Sequence, residues 1–271
     1  MQLRFLFTVT FVFAISHSAY ADDKYTLHEN LHLGQKTPIS TIYECKIKST
    51  STTNGVPTDT DTTTRLDWKV TLTVLAVKDG SSIRTLAEFD PASTDTTTIA
   101  GDPSEKTACP FVGKSITLTR NADESFSNDF SGDAGDDDVN LLNNLLSPDE
   151  DYYPDQPVAV GDTWDISDKL AKHSQLGPRD RMLAQCRLDW VKTINGKPMA
   201  QISNSMAVVY HEPGHVEEDL EATGIVIVDL TTQMIVKADQ TGQSKYKTRP
   251  TEPTQITGGT EFTFHDELLP R

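Results

Sequence analysis

Two stretches of this chain spell His-Glu-x-x-His, the ligand pattern of zinc peptidases: His28-Glu29-Asn30-Leu31-His32 and His211-Glu212-Pro213-Gly214-His215. That chemistry needs a helix. One helical turn puts both imidazoles on the same face, and the glutamate between them reaches the metal-bound water. Pro213-Gly214 removes helix hydrogen bonding from the second stretch, so it reads as a turn after a strand ending at Tyr210. The first lies just beyond the expected end of an export signal, with no preceding sheet to carry a buried active-site helix. Its surroundings, Tyr25–Gly34, look as much like strand as helix. His211 and His215 suit an adventitious surface metal site better than a catalytic one. No residue is assigned a catalytic, cofactor-binding or metal-ligating role on these patterns, and no cofactor is expected.

The other reactive side chains argue for structure. The acidic run Asp133–Asp138 lacks the alternating ligands and terminal glutamate of a calcium loop, and reads as a solvated charge run. Cys45, Cys109 and Cys186 match no zinc spacing. In an oxidising compartment three cysteines allow one bridge, and Cys45–Cys109, in the same half of the chain, is the preferred pair. There is no Gly-x-Ser-x-Gly, phosphate loop or dinucleotide fingerprint.

The compartment follows from the first residues. Arg4 precedes an apolar run, Phe5–Ile15, and Ala19-Tyr20-Ala21 supplies the small residues of a signal-peptidase site. Cleavage after Ala21 is expected, leaving a periplasmic or secreted protein with no cysteine at the site to lipidate and no later span-length apolar segment. The whole chain carries a net charge of −16, and the signal holds only Arg4 among charged residues. Such an acidic surface repels nucleic acid and anionic headgroups, so nucleic-acid binding is set aside.

The elements that would carry a site are strands. Leu66, Trp68, Val70, Leu72 and Val74 alternate with Asp67, Lys69, Thr71 and Thr73, the period of a strand with one buried face. This strand, over 58–77, is entered through Asn54-Gly55 and left through Asp79-Gly80 into a return strand, Ser82–Phe89. The threonine-rich tract Ser49–Thr64 reads as the outer part of a long hairpin, because threonine is β-branched. Arg65-Leu66-Asp67-Trp68 recurs as Arg187-Leu188-Asp189-Trp190, followed by Asn195-Gly196 and a return strand, Met199–Tyr210. Strands starting at Gly113 and at Gly224 extend the parallel. The order suggests a duplication, with pseudo-repeats at about 43–131 and 158–243. Short helices are expected at Asp138–Leu146 and, more weakly, at Asp168–Gln175. The expected whole is mainly β: a single domain over 22–271, a long antiparallel meander forming a curved sheet or half-open barrel, its halves joined near 131–157.

Pro157-Val158-Ala159-Val160-Gly161-Asp162-Thr163-Trp164 is the most distinctive stretch of the mature chain. It resembles the P-V-x-V-G-D-T-W segment of a bacterial family of exported proteins and lipoproteins without assigned function. Leu31–Gln35 and the hairpin Gly224–Thr232 extend that similarity. The resemblance implies export and brings no catalytic residues. Physically the segment is a valine pair, a tight turn at Gly161-Asp162 and a tryptophan opening a strand. The first functional reading is therefore a non-enzymatic exported β protein that binds an apolar ligand or another envelope protein on a concave sheet face. A zinc-dependent hydrolase and a structural or adhesive surface domain are the alternatives.

Overall fold

The computed structural model describes residues 23–121, 126–130, 152–173, 176, 180–211, 216–248 and 254–269. The signal segment, the acidic run, the expected helix at 138–146 and residues 212–215 of the second His-Glu-x-x-His stretch lie outside the described residues. Strands end where the chain can take positive φ. Asn54-Gly55, Asp79-Gly80 and Asn195-Gly196 all do so, with φ of 53° and 78°, 53° and 89°, and 51° and 80°. That twist matches the strands they join.

The first meander holds β1 (Lys36–Thr53), β2 (Val56–Lys78) and β3 (Ser81–Phe89), then β4 (Thr94–Ile99), β5 (Glu105–Ala108), β6 (Ser115–Arg120) and β7 (Phe126–Phe130). After β8 (Thr163–Asp165) and one short helix, α1 (Ser167–His173), a second meander runs through five strands. These are β9 (Arg181–Ile194), β10 (Lys197–His211), β11 (Val216–Asp229), β12 (Met234–Thr248) and β13 (Thr254–Leu268). All belong to one antiparallel sheet in the order β7-β6-β3-β2-β1-β13-β12-β11-β10-β9-β8, which does not close into a barrel. The strand β2 is long enough to divide its edge: residues 62–67 pair with β4 and residues 70–78 with β3.

The meanders meet in space at β1 and β13, paired without a slip from Ile39↔Leu268 to Thr53↔Thr254. The covalent link near 131–157 joins instead the two outermost strands. Sequence order alone does not reveal this seam, because pairing β1 with β13 closes a loop of most of the chain.

Two apolar clusters hold the sheet. One packs Leu66, Trp68 and Val70 against Ala87, Phe89, Phe111, Ile116 and Cys109. Phe89 and Phe111 meet the Trp68 ring edge-on at 5.4 and 5.8 Å, and the indole N–H donates to Asp95 at 2.6 Å. The other packs Cys186, Leu188, Ile202 and Val226 against Leu27, Tyr153, Val158 and Ile166, which come from the two segments outside the main strands.

The repeated phrases prove unequal here, and two expectations change. Leu66 and Leu188 are both buried, but Trp68 is 2% exposed while Trp190 is only half-buried, with Lys192 Nζ 4.9 Å from its ring centre. The cause is a bulge. Gln201 pairs with Trp190 and Ile202 with Leu188, leaving Asp189 as an extra residue that turns Trp190 away from the core side and puts Val191 there. Asp189 accepts from Gln201 and Ser203 at 3.0 and 3.1 Å. Gly224 does not begin a strand; it lies inside β11, where a Cβ would come within 2.6 Å of the Asp239 carbonyl oxygen. The Cys45–Cys109 bridge is not formed: all three cysteines are unbridged and buried, each on a different part of the core.

Candidate functional site

Opposite residues of antiparallel strands share a face, so the registers define what each face of the sheet carries. Both clusters lie on one face, here called inner. Successive rows across it run Thr41–Asp266–Ala238–Val226–Ile202–Leu188, then Tyr43–Phe264–Gln240–Gly224–Asn204–Cys186. Next come Cys45–Phe262–Gly242–Ala222–Met206–Ala184 and Ile47–Thr260–Ser244–Leu220–Val208–Met182. These four rows contain no lysine, arginine or histidine, and Asp266 is their single carboxylate. The next row adds Glu218, beside Tyr210 and Tyr246.

The opposite, outer face of the same strands carries the charge. Glu44, Lys46, Lys48, Glu261, His265, Glu267, Lys237, Asp239, Lys245, Lys247, Glu217, Asp219 and Glu221 all alternate onto it. Several pair there, including Arg65 with Glu44 at 3.4 Å, Lys237 with Asp239 at 2.9 Å and His265 Nδ1 with Asp239 at 2.5 Å. Within an acidic chain, the sheet has sorted its ionisable groups almost wholly to one side.

Between the two clusters the inner face is paved by aromatic rings lying on glycines. A Cβ on Gly242 would fall 2.3 Å from Phe262 Cζ, its direct cross-strand neighbour, and one on Gly258 would fall 2.7 Å from the Tyr246 ring. Glycine there leaves room for each ring to lie down along the sheet and lets the inner side contract as the sheet coils. Tyr43, Phe262, Phe264, Tyr246 and Leu220 are half-buried, while Cys45, Ala222, Ser244 and Val208 beside them are buried. Phe262, Phe264, Tyr246 and Leu220 belong to neither cluster.

Two buried side-chain oxygens in this belt lack a hydrogen-bond partner. Ser244 is 4% exposed, and its hydroxyl has no hydrogen-bond partner. Oδ1 of Asp266 is likewise buried and unpartnered. Burial pushes the Asp266 carboxyl up to about 6, against the opposing pull of a hydrogen bond from Thr41 and of nearby His265. Burial, then the hydrogen bond to Cys45 and its charge, lifts the Tyr43 phenol above its usual range. The Cys186 thiol is pushed up to about 12 by burial, with Lys169 pulling the other way. A thiol so protonated is a poor nucleophile.

The residues singled out for chemistry sit elsewhere. His28–His32 forms no helix. It is an irregular strap whose His28 N–H donates to Gln233 at 3.4 Å and whose Leu31 N–H donates to the Gly80 carbonyl at 2.8 Å. His28 and His32 are exposed, so the shared helical face that a zinc peptidase requires is missing there. Among the described residues no three His, Cys, Asp or Glu side chains gather around one point. The strap ends in the turn His32–Gln35. It borders an open notch of about 840 Å³ that also involves Lys36, Pro38, Thr71, Thr231, Thr232 and Met234, near where β13 ends at Leu268.

The Pro157–Trp164 segment is a clamp. Val158 and Tyr25 exchange backbone hydrogen bonds at 2.7 and 3.0 Å, tying the strap down. Gly161 has φ of 97°, and the Asp162 carboxylate accepts from the Ala159 N–H at 2.8 Å, closing the turn. Gly161 and Asp162 then bond to both sides of Leu188 on β9, and the Trp164 indole donates to the Tyr152 carbonyl at 3.1 Å. The Asp162 carboxylate and the Trp164 indole thus both serve backbone groups.

No family profile matches the chain, and no curated protein does. Among solved structures it is similar to one concerned with lipid–protein interactions in lipovitellin, at TM-score 0.46 and 7% identity over 87% of this chain. The chain spans about a quarter, 25%, of that protein. An outer membrane channel from Pseudomonas putida F1 is similar at TM-score 0.26 and 9% identity, over 89% of this chain and 98% of the channel. A DUF1329 family protein from Desulfovibrio piger follows at TM-score 0.14 and 8% identity, over 84% and 86% of the two chains. These likenesses are too loose to place the chain in a family. Among the described residues, no helix is long and apolar enough to cross a membrane.

Proposed function

We propose that this protein is an exported, non-enzymatic carrier that holds an apolar ligand against the inner face of its sheet. One observation carries the reading: the four central inner rows hold a single carboxylate and no cation, while the outer face of the same strands is densely charged. A face sorted in this way and paved with half-buried aromatic rings is suited to contact with something apolar. Phe262 and Tyr246 lie over Gly242 and Gly258, which leaves the face open around them. The zinc-hydrolase alternative lacks its helix at 28–32 and gains nothing from the buried, protonated Cys186 thiol.

The test is binding of the uncharged dye Nile red, together with native mass spectrometry of protein purified from its own host. Micromolar dye binding is expected. Phe264→Asn, at the centre of the belt, should weaken it roughly tenfold by removing most of the burial of one aromatic ring. A protein that binds no dye, emerges ligand-free from its host and is indifferent to that substitution has another function.

A further inference from the structure

The inner face also discriminates by charge, an inference that rests on the carrier reading above. An anionic lipid needs a cation or a set of N–H donors where its headgroup comes to rest. The inner rows supply no cation, and their side-chain N–H donors are only the two neutral amides of Gln240 and Asn204. Their strands keep Lys46, Lys48, Lys237, Lys245 and Lys247 on the outer side, and the ionisable groups that do face inward, Asp266 and Glu218, would repel a carboxylate or phosphate. Backbone N–H groups there are already spent on the sheet ladders.

What the face does supply is a neutral hydrogen-bonding group without a partner. Ser244 stands between Leu220 and Thr260 on the neighbouring strands, 4% exposed, with its hydroxyl unsatisfied. A hydroxyl donates to an ester carbonyl as readily as to a backbone one. Leaving it unpaired in an apolar surface is unfavourable, so a ligand that pairs with it gains from the contact. We propose that the inner face selects uncharged acyl esters over the corresponding free acids, with Ser244 donating to the ester carbonyl and the aromatic belt contacting the chain.

Pyrene-labelled dodecanoic acid and its methyl ester, titrated into the full-length mature protein at pH 8, separate the possibilities, because they differ only in charge and one methyl group. The ester should bind at least about tenfold more tightly. Ser244→Ala should weaken ester binding roughly fivefold, the value of one neutral hydrogen bond, without lowering the unfolding midpoint. Thr260→Lys places a cation directly across from Ser244 and should raise affinity for the acid roughly tenfold. Gln240→Lys, on the same face, is a second route to that reversal if the first variant folds poorly. Equal binding of both probes, tighter binding of the acid, or a preference that neither lysine moves would overturn the charge selection while leaving the carrier reading intact. Failure of both probes to bind at all would overturn the carrier reading itself, and this inference with it.

Discussion

Replacing Asp266 by Asn tests whether the inner face is as desolvated as its lining implies. The Asp266 carboxyl rises from the usual 3.8 to about 6, chiefly through burial. A carboxyl raised in the folded state keeps its proton there after the unfolded chain has lost it, so stability falls as pH rises from about 4 to about 6 and stays lower above that. Two pK units correspond to about 3 kcal/mol. Asn keeps an acceptor for the Thr41 hydroxyl and cannot ionise. The variant should therefore match the parent at pH 4 and be more stable by about 2–3 kcal/mol at pH 7.5. In a domain of this size that is a gain of roughly 5–10 °C in melting temperature. Thermal unfolding followed by circular dichroism at pH 4 and 7.5 for both proteins reads the effect as a difference of differences, in which the other carboxylates cancel. A variant less stable than the parent at pH 7.5, or an offset that does not change with pH, would show that water or a cation compensates the charge and would refute the reasoning.

The two Arg-Leu-Asp-Trp phrases should behave unequally: Trp68→Ala should cost about 3–5 kcal/mol in urea unfolding, and Trp190→Ala under about 1 kcal/mol. Asp229 is buried at the β11–β12 turn; burial raises its carboxyl, but the N–H groups of Thr231 and Thr232 and the ammonium of Lys197 outweigh it and hold the carboxyl below the usual range. Its contribution is thus present above the unfolded value near 4 and lost as pH falls through the lower folded value. Asp229→Ala should cost about 2–4 kcal/mol at pH 7, shrinking towards acid pH, and a pH-independent loss would count against this account. Gly242→Ala should destabilise by about 1–3 kcal/mol by driving a methyl into the Phe262 ring and the Glu221 carbonyl oxygen, with Phe262→Leu partly relieving it in a double-mutant cycle. A thiol reagent should modify Cys45, Cys109 and Cys186 only on unfolding, since all three are buried and unbridged; a single reactive thiol on the denatured, unreduced protein would instead reveal a disulfide.

What the sequence determined by itself is local. Alternation from Leu66 to Val74 makes a strand in any context, because successive side chains point to opposite faces, and Asn54-Gly55 and Asp79-Gly80 turn because those residues tolerate positive φ. The threonine-rich hairpin and the open, mainly β architecture were legible on the same grounds, as was the helix at Ser167–His173, close to the expected Asp168–Gln175. Tertiary structure decided whatever depends on a neighbour distant in sequence. One inserted residue at Asp189 gives two identical phrases opposite fates for their tryptophans, and nothing within the phrase encodes the bulge. The β1–β13 seam, more than 200 residues apart at Ile39↔Leu268, sets Tyr43 beside Phe264 and Thr41 beside Asp266. Read along β13 alone, Phe262, Phe264 and Asp266 are an ordinary alternating series. Only the register of β1 and β12 against it makes the phenylalanines a floor and leaves the carboxyl in an apolar row, because a sheet side chain takes its environment from the strands on either side.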